Sequence, residues 1–170
     1  AYQEKINSQA GHLFMLNLKT MSLEKSFGKS GVMQLNAPQA LVGDITAADY
    51  NFDASTDALY FGSGQSKQFV QSHQDKEGKL FRLRIKPGDK EGGHQWKSEV
   101  MFDAEDAILS RPQVSLDKNM NRWIHFSSGQ TSTKENRFDG VSGALYGIKE
   151  PRKIDGSFIM DKFSELPAKL

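Results

Sequence analysis

The 170-residue sequence contains no cysteine. That excludes disulfides, thiolate metal sites and cysteine nucleophiles, and leaves the cellular compartment open. No apolar run approaches the length of a membrane-spanning helix, so no membrane span is expected. Neither sign of charge dominates. The 22 basic residues stand against 21 acidic ones, a formal net charge of +1. Such a surface offers no general attraction to nucleic acid or acidic lipid. There is no Gly-x-Ser-x-Gly elbow and no phosphate-cradling loop. The first residue is Ala1 and no leader pattern follows, which suggests a processed product or a piece of something longer.

What the chain has is turns and aromatic residues, with 15 Gly and 11 Phe. Short apolar stretches separated by Gly-rich or charged segments predict an all-β chain. Strands are expected over residues 11–18, 41–45, 57–62, 78–85, 96–102, 113–116, 122–126 and 143–148. In Gly78-Lys79-Leu80-Phe81-Arg82-Leu83-Arg84-Ile85 the alternation has period two, the pattern of a half-exposed strand. Arg82 and Arg84 are accordingly expected on a solvent or subunit face. Residues 19–33 read as a loop, and residues 103–109 as one helical turn or a loop. Residues 65–77, 86–94 and 127–142 read as polar loops. The tail, 151–170, has no assignment.

One stretch carries chemistry. Asp49, Asn51, Asp53, Ser55 and Asp57 place an oxygen-bearing side chain at every second residue of a nine-residue loop. A curled loop can aim alternate side chains at one centre. Hard oxygens so arranged suit Ca²⁺, which takes about 6–8 of them. Three carboxylates this close repel one another unless a cation neutralises them. The spacing matches the first nine positions of a calcium loop, with Ser55 where a backbone carbonyl usually serves. The usual sixth-position Gly is Ala54, and the twelfth-position Glu is Tyr60, inside a strand-like run. The expected site is therefore a calcium loop leading into a β-strand, not a helix-loop-helix. The competing reading is a solvated Asx turn.

The chain also repeats itself. Gly78-Lys79-Leu80-Phe81-Arg82-Leu83 and Gly143-Ala144-Leu145-Tyr146-Gly147-Ile148 lie 65 residues apart. Leu59-Tyr60-Phe61-Gly62-Ser63-Gly64-Gln65 and Ile124-His125-Phe126-Ser127-Ser128-Gly129-Gln130 align at the same offset. Gly11-His12-Leu13-Phe14-Met15-Leu16 is a further copy of the first motif. Strand clusters repeated in this way predict β-propeller-like blades of antiparallel strands. Residues 1–170 would form a single segment of two units plus flanking strands, a partial propeller that is open or shared. Carried into the second unit, the offset takes Asp49, Asn51, Asp53 and Asp57 to Val114, Leu116, Lys118 and Arg122. The loop is thus expected to have lost its ligands there.

From about residue 40 to 150, the loop, the Gly-Lys-Leu-Phe-Arg-Leu strand, the Trp96 strand, the stretch from Arg111-Pro112-Gln113 to Ser127-Ser128-Gly129-Gln130 and Ala144-Leu145-Tyr146-Gly147-Ile148-Lys149-Glu150 follow in order. Together they resemble the C-terminal β-propeller of PilY/PilC-type proteins, which are type IV pilus biogenesis factors and tip-associated adhesins. The resemblance implies a non-enzymatic, calcium-binding component acting in pilus assembly or surface adhesion. It implies Ca²⁺ on Asp49, Asn51, Asp53 and Asp57 with the carbonyl of Ser55. It also implies minor pilins, the rest of the propeller, or a host or surface ligand as partners, and a location at the cell surface, pilus tip or periplasm. The family's long N-terminal region has no counterpart here, and Ser127-Ser128-Gly129 replaces a more typical Gly-Thr-Gly.

Rival chemistry is thin. His12, His73, His94 and His125 lack metal-ligand spacing, and Glu105 and Asp106 are adjacent and point apart. Trp96 and Trp123 suit packing between strands. Quinoprotein dehydrogenases use similar Gly-x-Leu-aromatic repeats, so a propeller enzyme is one alternative. An integrin-like calcium-stabilised binding module is another.

Overall fold

The computed structural model describes residues 10–38, 40–50, 52–65, 78–86, 95–129, 143–150 and 164–165. These residues are all-β, with no helix among them. Much of the predicted polar connections and most of the tail lie outside them.

The middle of the chain forms a four-stranded up-and-down sheet of β5 (Ala40–Ala48), β6 (Ala58–Gln65), β7 (Gly78–Lys86) and β8 (Gln95–Ala104), paired in chain order. A second such sheet follows. It comprises β9 (Gln113–Leu116), β10 (Arg122–Ser128), β11 (Ala144–Lys149) and β12 (Ser164–Glu165), again paired in chain order. All pairings in both sheets are antiparallel. The 65-residue offset superposes β6 on β10 and β7 on β11, so the sequence repeat is a repeat of sheets.

Ahead of both sheets, β1 (Ala10–Phe14) pairs with β4 (Val32–Pro38). A two-residue hairpin of β2 (Leu16–Asn17) and β3 (Ser22–Leu23) lies between them. Strands β3 and β4 correct the reading of residues 19–33 as loop. The exposed, mixed face of the hairpin hides its periodicity from the sequence.

The N-terminal strands, the middle sheet and the C-terminal sheet stack, and the inner strands β6 and β7 of the middle sheet are covered on both sides. On one face Leu59, Phe61, Phe81 and Leu83 pack on Leu13, Phe27, Met33 and Leu35 of the N-terminal unit. The rings of Phe61 and Phe81 stack at 5.3 Å, a contact worth about 0.5–1.5 kcal/mol beyond its area. On the other face Tyr60, Leu80 and Met101 pack on Ile124, Phe126 and Ile148 of the C-terminal sheet. This second interface overturns one sequence expectation. Arg82 and Arg84 are buried, not solvent-facing. They share a face with Tyr60 and Ala58 across the β6–β7 ladder, and that face is closed by the next sheet.

The segment between β8 and β9 is irregular, and no helical turn forms there. It crosses the middle sheet over Gly62, Gly64 and Gly78. A Cβ on Gly62 would meet the Ile108 carbonyl at 2.1 Å, and one on Gly78 the Asp106 carbonyl at 2.1 Å. Ile108 N–H donates to the Ser63 carbonyl at 3.0 Å. The Gly-x-Gly signature of the repeat is therefore a groove for a crossing chain.

Candidate functional site

The loop from Asp49 to Asp57 joins β5 to β6 and is closed by its own carboxylates. Asp49 accepts from Phe52 N–H at 2.7 Å through one oxygen and from Ala54 N–H at 2.8 Å through the other. Asp53 accepts from Ser55 N–H at 2.8 Å. Asp57 accepts from Tyr50 N–H at 2.6 Å, and its own N–H donates to the Ala48 carbonyl at 2.9 Å. Ala54 has φ +68° and Phe52 φ +60°. The left-handed turn that a sixth-position Gly provides is thus made here by an alanine, against a steric cost.

Asp49, Asp53, Ser55 and Asp57 are brought into one loop, with Asn51 outside the described residues. Among the described residues no group of three or more His, Asp or Glu converges as a metal cluster would. The donor set itself is chemically suited to a hard cation. Each carboxylate oxygen that accepts one backbone N–H has a second lone pair, and that capacity is what a metal would use.

The β9–β10 turn, which the 65-residue offset passes over, carries oxygen-bearing side chains of its own. The strict offset misplaces this connection because the turn is shorter. Aligned from the strand end, Asp117 takes the place of Asp49, followed by Asn119 and Asn121. Asp117 accepts from the N–H groups of Asn119 and Asn121 at 2.8 and 2.9 Å, and from the Asn121 side-chain amide at 2.7 Å. The Asn121 bonds, with help from Asn119 and Trp123, hold its carboxyl below the ordinary aspartate range. Met120, at φ +60°, completes the likeness to the longer loop.

Tyr50 ties the loop to the joint between the sheets. Its hydroxyl hydrogen-bonds that of Tyr60, and the Arg122 guanidinium lies 3.4 Å over its ring. Tyr60 donates to Glu150 at 2.7 Å. Glu150 also takes Arg82 Nη1 at 2.7 Å, and its other oxygen lies 2.7 Å from Arg122 Nε, a charge contact off hydrogen-bond geometry. Glu99 pairs with Arg82 at 2.6 Å and Arg84 at 2.8 Å. Burial pushes the hydroxyls of Tyr50 and Tyr60 well above the usual tyrosine range. Burial would lower the Arg82 pKa, but Glu150 and Glu99 more than offset it and hold the guanidinium charged.

A cavity of about 330 Å³ opens between β5 and β9 beside the loop, with Asp49, Tyr50, Phe52, Met120 and Arg122 among its walls. Sequence reasoning missed this ionic joint. Its one signal was three arginines on otherwise apolar strands, which need a buried counter-charge if those strands are covered twice.

No family model, no curated protein and no solved structure matches the chain. The class that fold and site define is an all-β stack of up-and-down sheets with an acidic loop at a sheet joint. Among the described residues no helix is long and apolar enough to cross a membrane.

Proposed function

We propose that the chain is a calcium-binding, non-enzymatic portion of a β-propeller that serves as an assembly or adhesion module. The observation that carries this reading is the repeat of one sheet design, strand for strand, with an oxygen-rich loop at the β5–β6 corner wired into the joint between sheets. Successive four-stranded up-and-down sheets stacked face to face are how propeller blades are built. Asp49, Asn51, Asp53 and Asp57, with Ser55, are the residues that would hold Ca²⁺. When bound, the ion would supply charge neutralisation and a clamp on the loop's freedom. The chain's own residues do the rest. Asp49 fixes the curl of the loop, Asp57 holds the Tyr50 backbone, and Tyr50 reaches the Tyr60–Glu150–Arg82 group.

The assignment to type IV pilus assembly or surface adhesion, with minor pilins or a surface ligand as partners and an extracytoplasmic location, rests on the ordered motifs from residue 40 to 150. Surface-immobilised chain exposed to purified minor pilins, with calcium and with chelator, tests it. Saturable, calcium-dependent capture is expected. Absence of capture under both conditions contradicts the pilus assignment. Melting curves of wild type and Asp53→Ala in calcium and in chelator test the metal independently. Calcium should raise the wild-type midpoint and leave the variant unmoved.

A further inference from the structure

The β5–β6 and β9–β10 corners share one unusual choice of residue. The third position after the leading aspartate, Phe52 after Asp49 and Met120 after Asp117, holds a left-handed backbone, at φ +60° in both. Glycine or asparagine adopts that conformation at least cost, and a bulky apolar residue there is an outlier. Burial does not compensate, since Phe52 is 70% exposed and Met120 44%. Nor do the turns need these side chains. Phe52 N–H closes its turn on the Asp49 carboxylate at 2.7 Å, and Met120 N–H closes the other on the Asp117 carbonyl at 2.9 Å.

Both side chains instead line the same cavity of about 330 Å³. Ala47 and Ala48 of β5 form one wall, and Val114 and Leu116 of β9 the other. Leu116 is itself exposed, so three large apolar side chains gather at one mouth. Beside the cavity the two strands are held together. The Thr46 hydroxyl donates to the Pro112 carbonyl, and Arg111 Nε donates to the Ile45 carbonyl at 3.3 Å. Among the described residues β9 ends its sheet, and an edge strand presents main-chain donors and acceptors. Backbone strain of this kind clusters at ligand clamps. The volume falls at the small end of the range of ligand pockets, about 300–1,000 Å³.

We propose that this cavity takes one aromatic side chain from an extended peptide segment of a partner protein, with the peptide backbone along the β9 edge. The occupant follows from the walls. A phenyl ring and a thioether sulfur on one space select an aromatic ring, which packs on Phe52 and meets the Met120 sulfur. The space holds one such group, and the strand edge supplies the hydrogen bonds that an extended chain carrying it would use. The inference goes beyond the functional reading above and rests on the cavity, not on the metal.

Methyl NMR of the full chain with labelled methionine tests it, in calcium and in chelator. The sequence has 6 methionines, and Met120→Leu identifies the Met120 signal. The probe is the capped peptide acetyl-Thr-Val-Phe-Val-Thr-amide at up to millimolar concentration. A saturable upfield shift of the Met120 methyl is expected, with the other methionines unmoved. The same peptide with Ala in place of Phe should give no shift. N-acetylphenylalaninamide should bind about tenfold more weakly or worse, because it forgoes the main-chain bonds. Phe52→Ser and Leu116→Ser should each abolish the shift with an unchanged circular dichroism spectrum, because both positions are exposed. No shift in either buffer, an equal shift with the Ala peptide, equal affinity for the free amide, or undiminished binding by both serine variants would each overturn the proposal. A shift that persists in chelator while calcium gives no heat would leave this proposal standing and remove the metal.

Discussion

Arg82 and Glu150 are 68 residues apart in sequence and 2.7 Å apart in space, and both side chains are fully buried. One belongs to the middle sheet and the other follows the last residue of β11. Their pairing, completed by Tyr60, Glu99 and Arg122, sets how the two sheets sit on each other. Removing one partner of a buried ion pair strands the other in a medium that cannot solvate it. Glu150→Gln should therefore destabilise the chain by about 3–5 kcal/mol. The midpoint of urea denaturation reads this. A loss below about 1 kcal/mol, typical of exposed pairs, would contradict a buried joint.

Glycine positions in the repeat differ in what they tolerate. Gly62→Ala would drive a methyl into the Ile108 carbonyl, backbone that cannot step aside. Gly147→Ala meets only the rings of His125 and Trp123, at 3.5 Å and beyond. The first change should cost about 1–3 kcal/mol by overpacking, and the second well under 1 kcal/mol. Thermal melts of the two variants check the contrast. Equal effects would mean that the crossing segment does not lie on Gly62.

Ala54 holds a left-handed conformation that an L-residue adopts at about 1–2 kcal/mol, partly offset in glycine by lost unfolded-state restriction. Ala54→Gly should accordingly stabilise by about 0.5–1 kcal/mol. Chemical denaturation tests this. Destabilisation by the same change would show that the alanine is not strained.

Asp117 titrates below its ordinary value of 3.8 because Asn121, and then Asn119 and Trp123, hydrogen-bond its charged form. A depressed carboxylate stabilises the folded state at pH above its unfolded value, and that contribution is lost as pH falls toward the folded one. The melting temperature should fall on acidification below about pH 4, with a shallower slope in Asp117→Asn. Identical acid limbs in the two proteins would contradict the Asp117 hydrogen-bond set.

Much of the fold was legible because β6, β7, β10 and β11 carry short apolar runs bounded by Gly, and because the runs recur at one offset. The loop was legible because its oxygens alternate. Arg82 and Arg84 were misread for a physical reason. Alternation in β7 reads the same whether its polar side chains meet water or a carboxylate from a distant strand. Glu150 gave no local sign of its role, since its partners lie 68 and 90 residues upstream. Strand β4 was lost because residues 32–38 follow a turn-rich stretch and mix Gln and Asn with apolar positions. The Asp117 turn was hidden by carrying a fixed offset through connections of different length.

Calorimetric titration of Ca²⁺ into the folded chain tests the central claim most directly, with Asp53→Ala alongside. Saturable heat at a stoichiometry of one in wild type, abolished in the variant while its melting curve in chelator still matches wild type, is the predicted result. No heat in either protein at millimolar calcium, or equal heats in both, would contradict a cation held by Asp49, Asn51, Asp53, Ser55 and Asp57.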